Sequence, residues 1–469
     1  WDLRTKAPKQ SVKERSKSIG VLSQKIHQLS TSQQMKDYID ELKDSKHPII
    51  QKSIIECEKE YWRNKKIPDE EFKQYVMLQA ESESVWEEAR EKADFNMFRP
   101  YLEKLVEFKI KFANYWGYKN NIYDALLDEY EPGMTVEILD EVFPPLRNEL
   151  TALIEKVKNA PVQPDTSNIL VPFDPVKQEA FSIEILKEMG YDFSSGRLDT
   201  TVHPFMITIN PRDIRVTTRY DENDFRMAVF GTIHEGGHAL YEQNIKEELF
   251  NTPLATGTSN GIHESQSLFW ETFIGRSKAF WHRYFDTLKN YAPASFQKLS
   301  LDDFYRAVNE VKPSFIRIEA DEMTYPLHIM VRYELEKGLI NKEIEVKDLP
   351  KLWNDKMEEY LGIRPKNDRE GVLQDVHWAG GDFGYFPSYA LGYMYGAQFL
   401  HATNKQVNVK EAIENGQLHK ITQWLKENIH QYGKLKDPLN ILQDVTGEGL
   451  NPKYLIHYLE EKYKDIYKW

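Results

Sequence analysis

Cysteine is almost absent: Cys57 is the only one in 469 residues. No internal disulfide can form and no thiolate metal cluster can be built, which fits a reducing, cytoplasmic setting. Long apolar runs are missing too. No stretch approaches the roughly 18 residues that a membrane-spanning helix needs. Positive charge is in deficit. Lys plus Arg is 61 against 74 for Asp plus Glu, a formal net charge of −13. Such a chain lacks the field that draws nucleic acid or anionic membrane, so small molecules, peptides or proteins are the expected partners. There is no internal repeat and no low-complexity linker. The chain opens Trp1-Asp2-Leu3-Arg4, without an initiator methionine or a signal-peptide pattern.

What is present reads mostly as helix. Residues 11–46 and 68–115 carry apolar side chains at spacings of three and four, among them Phe72, Tyr75, Val76, Val85, Trp86 and Ala89. Glu131-Pro132-Gly133 is a turn. One segment departs from this pattern. Residues 206–219 read as two alternating, β-branched runs that flank an Asn210-Pro211-Arg212-Asp213 turn, and predict a β-hairpin. Period two puts Asp213, Arg215 and Thr217 on one face and Ile214, Val216 and Thr218 on the other. An exposed edge there could take an extended peptide by strand addition. Helices are then expected over about 222–245, 262–290 and 313–338. Between residues 371 and 387 four glycines and a terminal proline predict a loop, and its His, Trp, Tyr and Asp content suits binding.

The helix over 222–245 holds His234-Glu235-Gly236-Gly237-His238. Two histidines four apart lie on one helix face, one turn apart, where they can share an ion. Zinc there lowers the pKa of a water to about 7 and polarises a scissile carbonyl. Glu235 is placed to take the proton of that water and pass it to the leaving amine. A chance His-Glu-x-x-His is expected only roughly 0.03 times in a chain of this composition. The bland alternative, a helix with two satisfied histidines, is weakened by Gly236 and Gly237. Each costs a helix interior about 1 kcal/mol relative to Ala, and they make sense where a backbone or substrate must come close. Glu264, in His263-Glu264-Ser265-Gln266, is the expected third ligand. The competing reading is a helix-start Glu favoured by the macrodipole. His263 is read as a donor to substrate or a support for a ligand. Many related sites carry an Asp four residues after the ligand Glu, but here that position is Leu268, which leaves Asp213 as the candidate to orient a histidine.

These segments resemble the carboxypeptidase Taq family of thermostable metallocarboxypeptidases. The resemblance rests on five motifs in family order: Asp213–Thr217, His234–His238, His263–Gln266, Ile316–Asp321 and Gly371–Trp378. The opening Trp1-Asp2 with Thr5 and Pro8 is also similar, so the likeness spans almost the whole chain. It implies a mostly α fold: one large helical domain over residues 1–469 with a deep cleft, as in angiotensin-converting enzyme and the oligopeptidases. Residues 1–200 would form a helical cleft wall and 201–469 would carry the motifs. It further implies a homodimer, one zinc or cobalt ion per chain, and broad release of C-terminal residues other than proline. A terminal carboxylate asks for a fixed cation. Arg317 is the first candidate through the family motif, against a plain i, i+4 surface pair with Asp321. Arg215 is the second, with Asp213 beside it. His377 and Tyr385 would hold the peptide backbone or the oxyanion, as in a related dipeptidase. Gln374, Asp375 and Trp378 are expected to shape the loop, and Tyr389 is divided between core and site. The competing functions are a cleft oligopeptidase cutting internal bonds and a helical metal-binding protein without turnover.

Overall fold

The computed structural model describes residues 1–469, apart from the side chains of Lys9, Val12, Lys13 and Ser16. The chain is mostly helical with a single small sheet. No helix is long and apolar enough to cross a membrane among the described residues. Internal contacts divide it into two compact units.

The first unit comprises Trp1–Tyr61, Val162–Glu310 and Tyr395–Gly449. Its sheet contains the expected hairpin, β2 (Met206–Asn210) against β3 (Asp213–Thr218), and also a strand the sequence did not announce, β1 (Leu198–Thr200). β1 pairs with β3 in parallel, Leu198 opposite Val216. The order is therefore β1-β3-β2, and β3 is central, so the motif strand offers no free edge. Ile214, Val216 and Thr218 are buried as period two requires. Thr217 is buried as well, against expectation, because its hydroxyl bonds the Phe205 backbone on both sides, donating to the carbonyl and accepting from the amide.

The helix after the sheet runs Phe225–Gln243 and is capped by Asp224, whose carboxylate accepts from the Arg226 amide. It is buried on nearly all sides, which is why its apolar residues show no simple stripe. Asn260–Leu268 follows, capped by Ser259. The single helix expected to reach residue 290 is instead three pieces. A π-helical stretch covers Phe269–Gly275, and a new helix, Lys278–Tyr291, starts where the Ser277 hydroxyl accepts from the Phe280 amide.

The second unit comprises Trp62–Pro161, Val311–Met394 and Leu450–Trp469. The long helices Asp69–Lys92 and Phe95–Trp116 realise the amphipathic reading of residues 68–115, and Val136–Lys158 is a further long helix beyond it. Leu102, Leu105, Leu139, Leu146 and Leu150 are all buried. The helix expected over 313–338 begins twelve residues late, at Tyr325, and ends at Ile340. Before it, Arg317–Glu319 makes only a 3₁₀ turn. Asp321 holds the chain in a turn there: its carboxylate accepts from the Met323 and Thr324 amides and the Lys312 amide, which fixes the segment before the helix in a non-helical path. Residues 371–386 form the expected irregular loop. Gly384 is required there: its φ is +91°, and an added Cβ would stand 2.6 Å from the Leu126 backbone. The loop is tied to one buried carboxylate, Glu336, which accepts from the Trp378 indole (2.6 Å), the Gly384 amide (2.8 Å) and the Tyr123 hydroxyl (2.5 Å).

Candidate active site

Two groupings of the expected residues emerge, one in each unit. In the first, His234 and His238 present their Nε2 atoms toward the same Glu264 oxygen, at 3.8 and 3.4 Å. One donor atom from each of the three residues lies within 4.8 Å of the others, an arrangement able to hold a metal ion. The donor chemistry fits: two imidazoles and a carboxylate are the ligand set of a catalytic zinc with an open position. The helices bearing them meet at Gly237. A Cβ there would lie 2.5 Å from the Gln266 carbonyl oxygen and 2.7 Å from Ser267 Cα. That glycine therefore serves a backbone approach, whereas a Cβ on Gly236 would meet the side chains of Leu186 and Met189.

The other ring nitrogens are engaged. His234 Nδ1 lies 2.9 Å from Glu271 Oε2, and Glu271 is in turn held by Arg276 at 2.9 Å. This corrects the expectation for Asp213, which instead pairs with Arg215 on its own strand, at 2.7 and 2.6 Å. Arg215 is thus committed to Asp213, and it also lies over the Trp1 ring. His238 Nδ1 lies 2.6 Å from His263 Nδ1, whose Nε2 is 3.0 Å from Glu242. Glu242 and Glu271 escaped sequence reasoning although a signal existed. Glu242 is one turn beyond His238, on the same helix face as both histidines, and Glu271 is two turns beyond Glu264.

Glu235 is buried, and its carboxylate makes no hydrogen bond or ion pair with another described residue. Burial pushes its carboxyl up to about 7, with Glu264 adding to the rise and His234 opposing it. For Glu271 burial is outweighed by His234 and Arg276, and the carboxyl falls to about 2. Burial pushes His238 down to about 4, against the pull of the Glu264 carboxylate beside it. For His234 burial is outweighed by Glu264 and Glu271, which raise it to about 10.

In the second unit the loop and the turn before the Tyr325–Ile340 helix bring Arg317, Asp375, Arg332, His377, Tyr385 and Tyr389 together. Arg317 does not pair with Asp321. Its guanidinium donates to Asp375 Oδ1, at 3.1 and 2.8 Å, and to the Tyr325 hydroxyl, and it lies over the Tyr389 ring. Arg332, fully buried, donates to the other oxygen of Asp375 and to Gln374. Burial is outweighed by Arg332 and Arg317, which hold the Asp375 carboxyl well below the usual range. Two guanidinium groups thus share one carboxylate, leaving one positive charge in excess. The His377 ring packs near Tyr385 and Tyr389, with centroids 5.2 and 6.3 Å away. Gln374, Asp375 and Trp378 do shape the loop, each through a named bond.

Residues 1–463 match the family described as carboxypeptidase Taq (M32) metallopeptidase. The chain belongs to this family. It is 54% identical to carboxypeptidase 1 of Bacillus subtilis over 471 residues, covering 100% of this chain and 94% of that protein. It is 40% identical to thermostable carboxypeptidase 1 of Thermus thermophilus over 484 residues, again 100% and 94%. The solved M32 carboxypeptidase from Deinococcus radiodurans R1 superposes with a TM-score of 0.97 at 34% identity, covering 100% of this chain and 95% of that one. Membership makes the chain a metal-dependent peptide hydrolase of the carboxypeptidase Taq family, and makes a divalent ion part of its working state.

Proposed function

We propose that the chain is a zinc-type metallocarboxypeptidase that removes single residues from the free C-termini of peptides. The observation that carries this is the convergence of His234, His238 and Glu264, with both ligand histidines tied at Nδ1. One ion per chain, zinc or alternatively cobalt, would sit on these three residues. When bound, it supplies Lewis acidity toward a water and a peptide carbonyl. Glu235 takes a proton from the attacking water and returns it to the departing amine, a role suited to a buried carboxylate without a protein partner. Glu271 keeps the His234 ring turned toward Glu264. Arg317, with the excess charge of its Asp375–Arg332 cluster, reads the substrate's terminal carboxylate, and His377 and Tyr385 bond the peptide. Arg215 is a weaker candidate, since Asp213 already occupies its fork. The reading extends to broad side-chain preference with refusal of C-terminal proline and a homodimer, both carried over from the family likeness, and to a cytoplasmic location, which a chain with Cys57 as its one cysteine fits.

The test is a mass-spectrometric digest of an unblocked peptide library by metal-loaded protein, run beside Glu235→Gln. We expect ladders shortened from the C-terminus. We expect Glu235→Gln to retain the ion and lose turnover by several orders of magnitude. Internal fragments from the wild type would shift the assignment to an oligopeptidase. Near-native turnover by metal-loaded Glu235→Gln would remove its role.

A further inference from the structure

His238 is supported differently from His234. His234 has a carboxylate at Nδ1, Glu271 Oε2 at 2.9 Å. His238 has a second imidazole, His263, at 2.6 Å between the two Nδ1 atoms. Two ring nitrogens that close must be one donor and one acceptor. The direction is set further out, at Glu242. Its Oε1 accepts from the Gly257 amide at 2.8 Å and from the Thr256 hydroxyl at 3.2 Å, and its Oε2 accepts from the Thr208 hydroxyl at 3.2 Å. The Gly257 amide can only donate, so Oε1 is an acceptor there, as a carboxylate oxygen is. The 3.0 Å contact from His263 Nε2 to that same Oε1 must therefore be an N–H donating. With its ring proton on Nε2, His263 offers a bare Nδ1 that accepts from His238 Nδ1–H. His238 in turn has its lone pair on Nε2, the atom that faces Glu264 at 3.4 Å. The ring of His263 has no freedom to leave this line. It packs on Tyr241, with centroids 5.1 Å apart, and Gly257 is so close that a Cβ there would lie 2.5 Å from His263 Cδ2.

We propose that His263 is a positioning residue: anchored by Glu242, it fixes His238 in the tautomer whose Nε2 is free to ligate. It is thereby removed from direct work on the substrate. The inference rests on the ligand set proposed above.

Three variants of the full chain test it: His263→Phe, His263→Asn and Gly257→Ala. Each is stripped of metal, checked for folding by circular dichroism, and titrated with zinc against a chromophoric chelator. Cobalt(II) absorption spectra are recorded in parallel. Phe keeps the ring and loses both nitrogens. Asn loses packing but sets an amide oxygen about where Nδ1 stood. We expect zinc affinity to fall about 10- to 100-fold in His263→Phe, with altered cobalt bands, and to be largely restored in His263→Asn. Gly257→Ala, which displaces His263 without touching a ligand, should weaken zinc in the same direction. A purely structural role predicts the reverse order, with Asn worse than Phe, and that result would overturn the proposal. So would wild-type zinc affinity in His263→Phe. If His263→Phe does not fold, wild-type affinity in Gly257→Ala overturns it. Failure of the wild type itself to bind zinc, with His234→Ala no different, would instead condemn the ligand set.

Discussion

Replacing Gly237 by Ala should loosen the metal site without altering any ligand. The added Cβ would stand 2.7 Å from Ser267 Cα and 2.5 Å from the Gln266 carbonyl oxygen. Carbon atoms in contact sit no closer than about 3.5 Å, so the two helices must part by roughly 0.8 Å. Both obstacles are backbone and cannot rotate away. Overpacking of this kind costs about 1–3 kcal/mol, against a helix-propensity gain of up to about 1 kcal/mol from losing the glycine. The net loss in stability is about 0–3 kcal/mol. The larger effect falls on Glu264, one turn before Ser267 and joined to it, since the Ser267 hydroxyl donates to the Glu264 carbonyl at 2.7 Å. Ligand distances tolerate only about 0.2 Å, so zinc affinity should fall about tenfold or more. Two neighbours calibrate the measurement. At Gly236 the Cβ meets the ends of the Leu186 and Met189 side chains, which can turn aside. At Gly231 it meets nothing within 4 Å, so Gly231→Ala should stabilise the apo-protein by up to about 1 kcal/mol. Thermal melts of metal-free protein and chelator competition on the three variants read both effects. Wild-type zinc affinity in Gly237→Ala, or three indistinguishable variants, would refute the reasoning.

If a buried cation reads the terminal carboxylate, amidating a peptide's C-terminus should lower kcat/KM by about 30-fold to several-thousand-fold, an interaction of about 2–5 kcal/mol. Arg317→Ala should erase most of that difference, whereas a full preference surviving in the variant would move the role to His377 and Tyr385. Asp375→Asn leaves Arg317 and Arg332 facing each other without their shared anion and should cost about 3–5 kcal/mol in urea unfolding; a loss below about 1 kcal/mol would deny the cluster its structural weight. Burial pushes the Glu336 carboxyl up to about 7 in spite of the bonds it accepts from Tyr123, Gly384 and Trp378. A pKa raised on folding favours the folded state below the ordinary value near 4.5, and that advantage is lost as pH climbs through about 7. The difference in unfolding free energy between wild type and Glu336→Gln should therefore fall with rising pH between about 5 and 8, by up to roughly 3 kcal/mol. Parallel pH profiles for the two proteins would contradict this.

The sequence by itself determined the chemistry and much of the local structure. His-Glu-x-x-His spacing needs only the helical repeat to place two imidazoles together, and alternation of β-branched residues needs only the pleat to make a hairpin. Both are properties of neighbouring residues, and both are found. The glycine-rich loop was legible for the same reason, since Gly384 demands a backbone angle that other residues avoid. Boundaries were less legible. Ser277 starts a new helix through its hydroxyl and Asp321 fixes the turn before another, and apolar periodicity alone runs across both. Tertiary structure decided everything that depends on residues distant in the chain. It placed β1 beside β3 and so moved the motif strand to the centre of the sheet. It set Glu271 against His234 and left Asp213 paired with its strand neighbour Arg215. It set His263 against His238 and Glu242, and gave Arg317 to Asp375, 58 residues away, in place of Asp321, four residues away. A hydrogen bond across such a separation is settled by packing, which no local periodicity encodes.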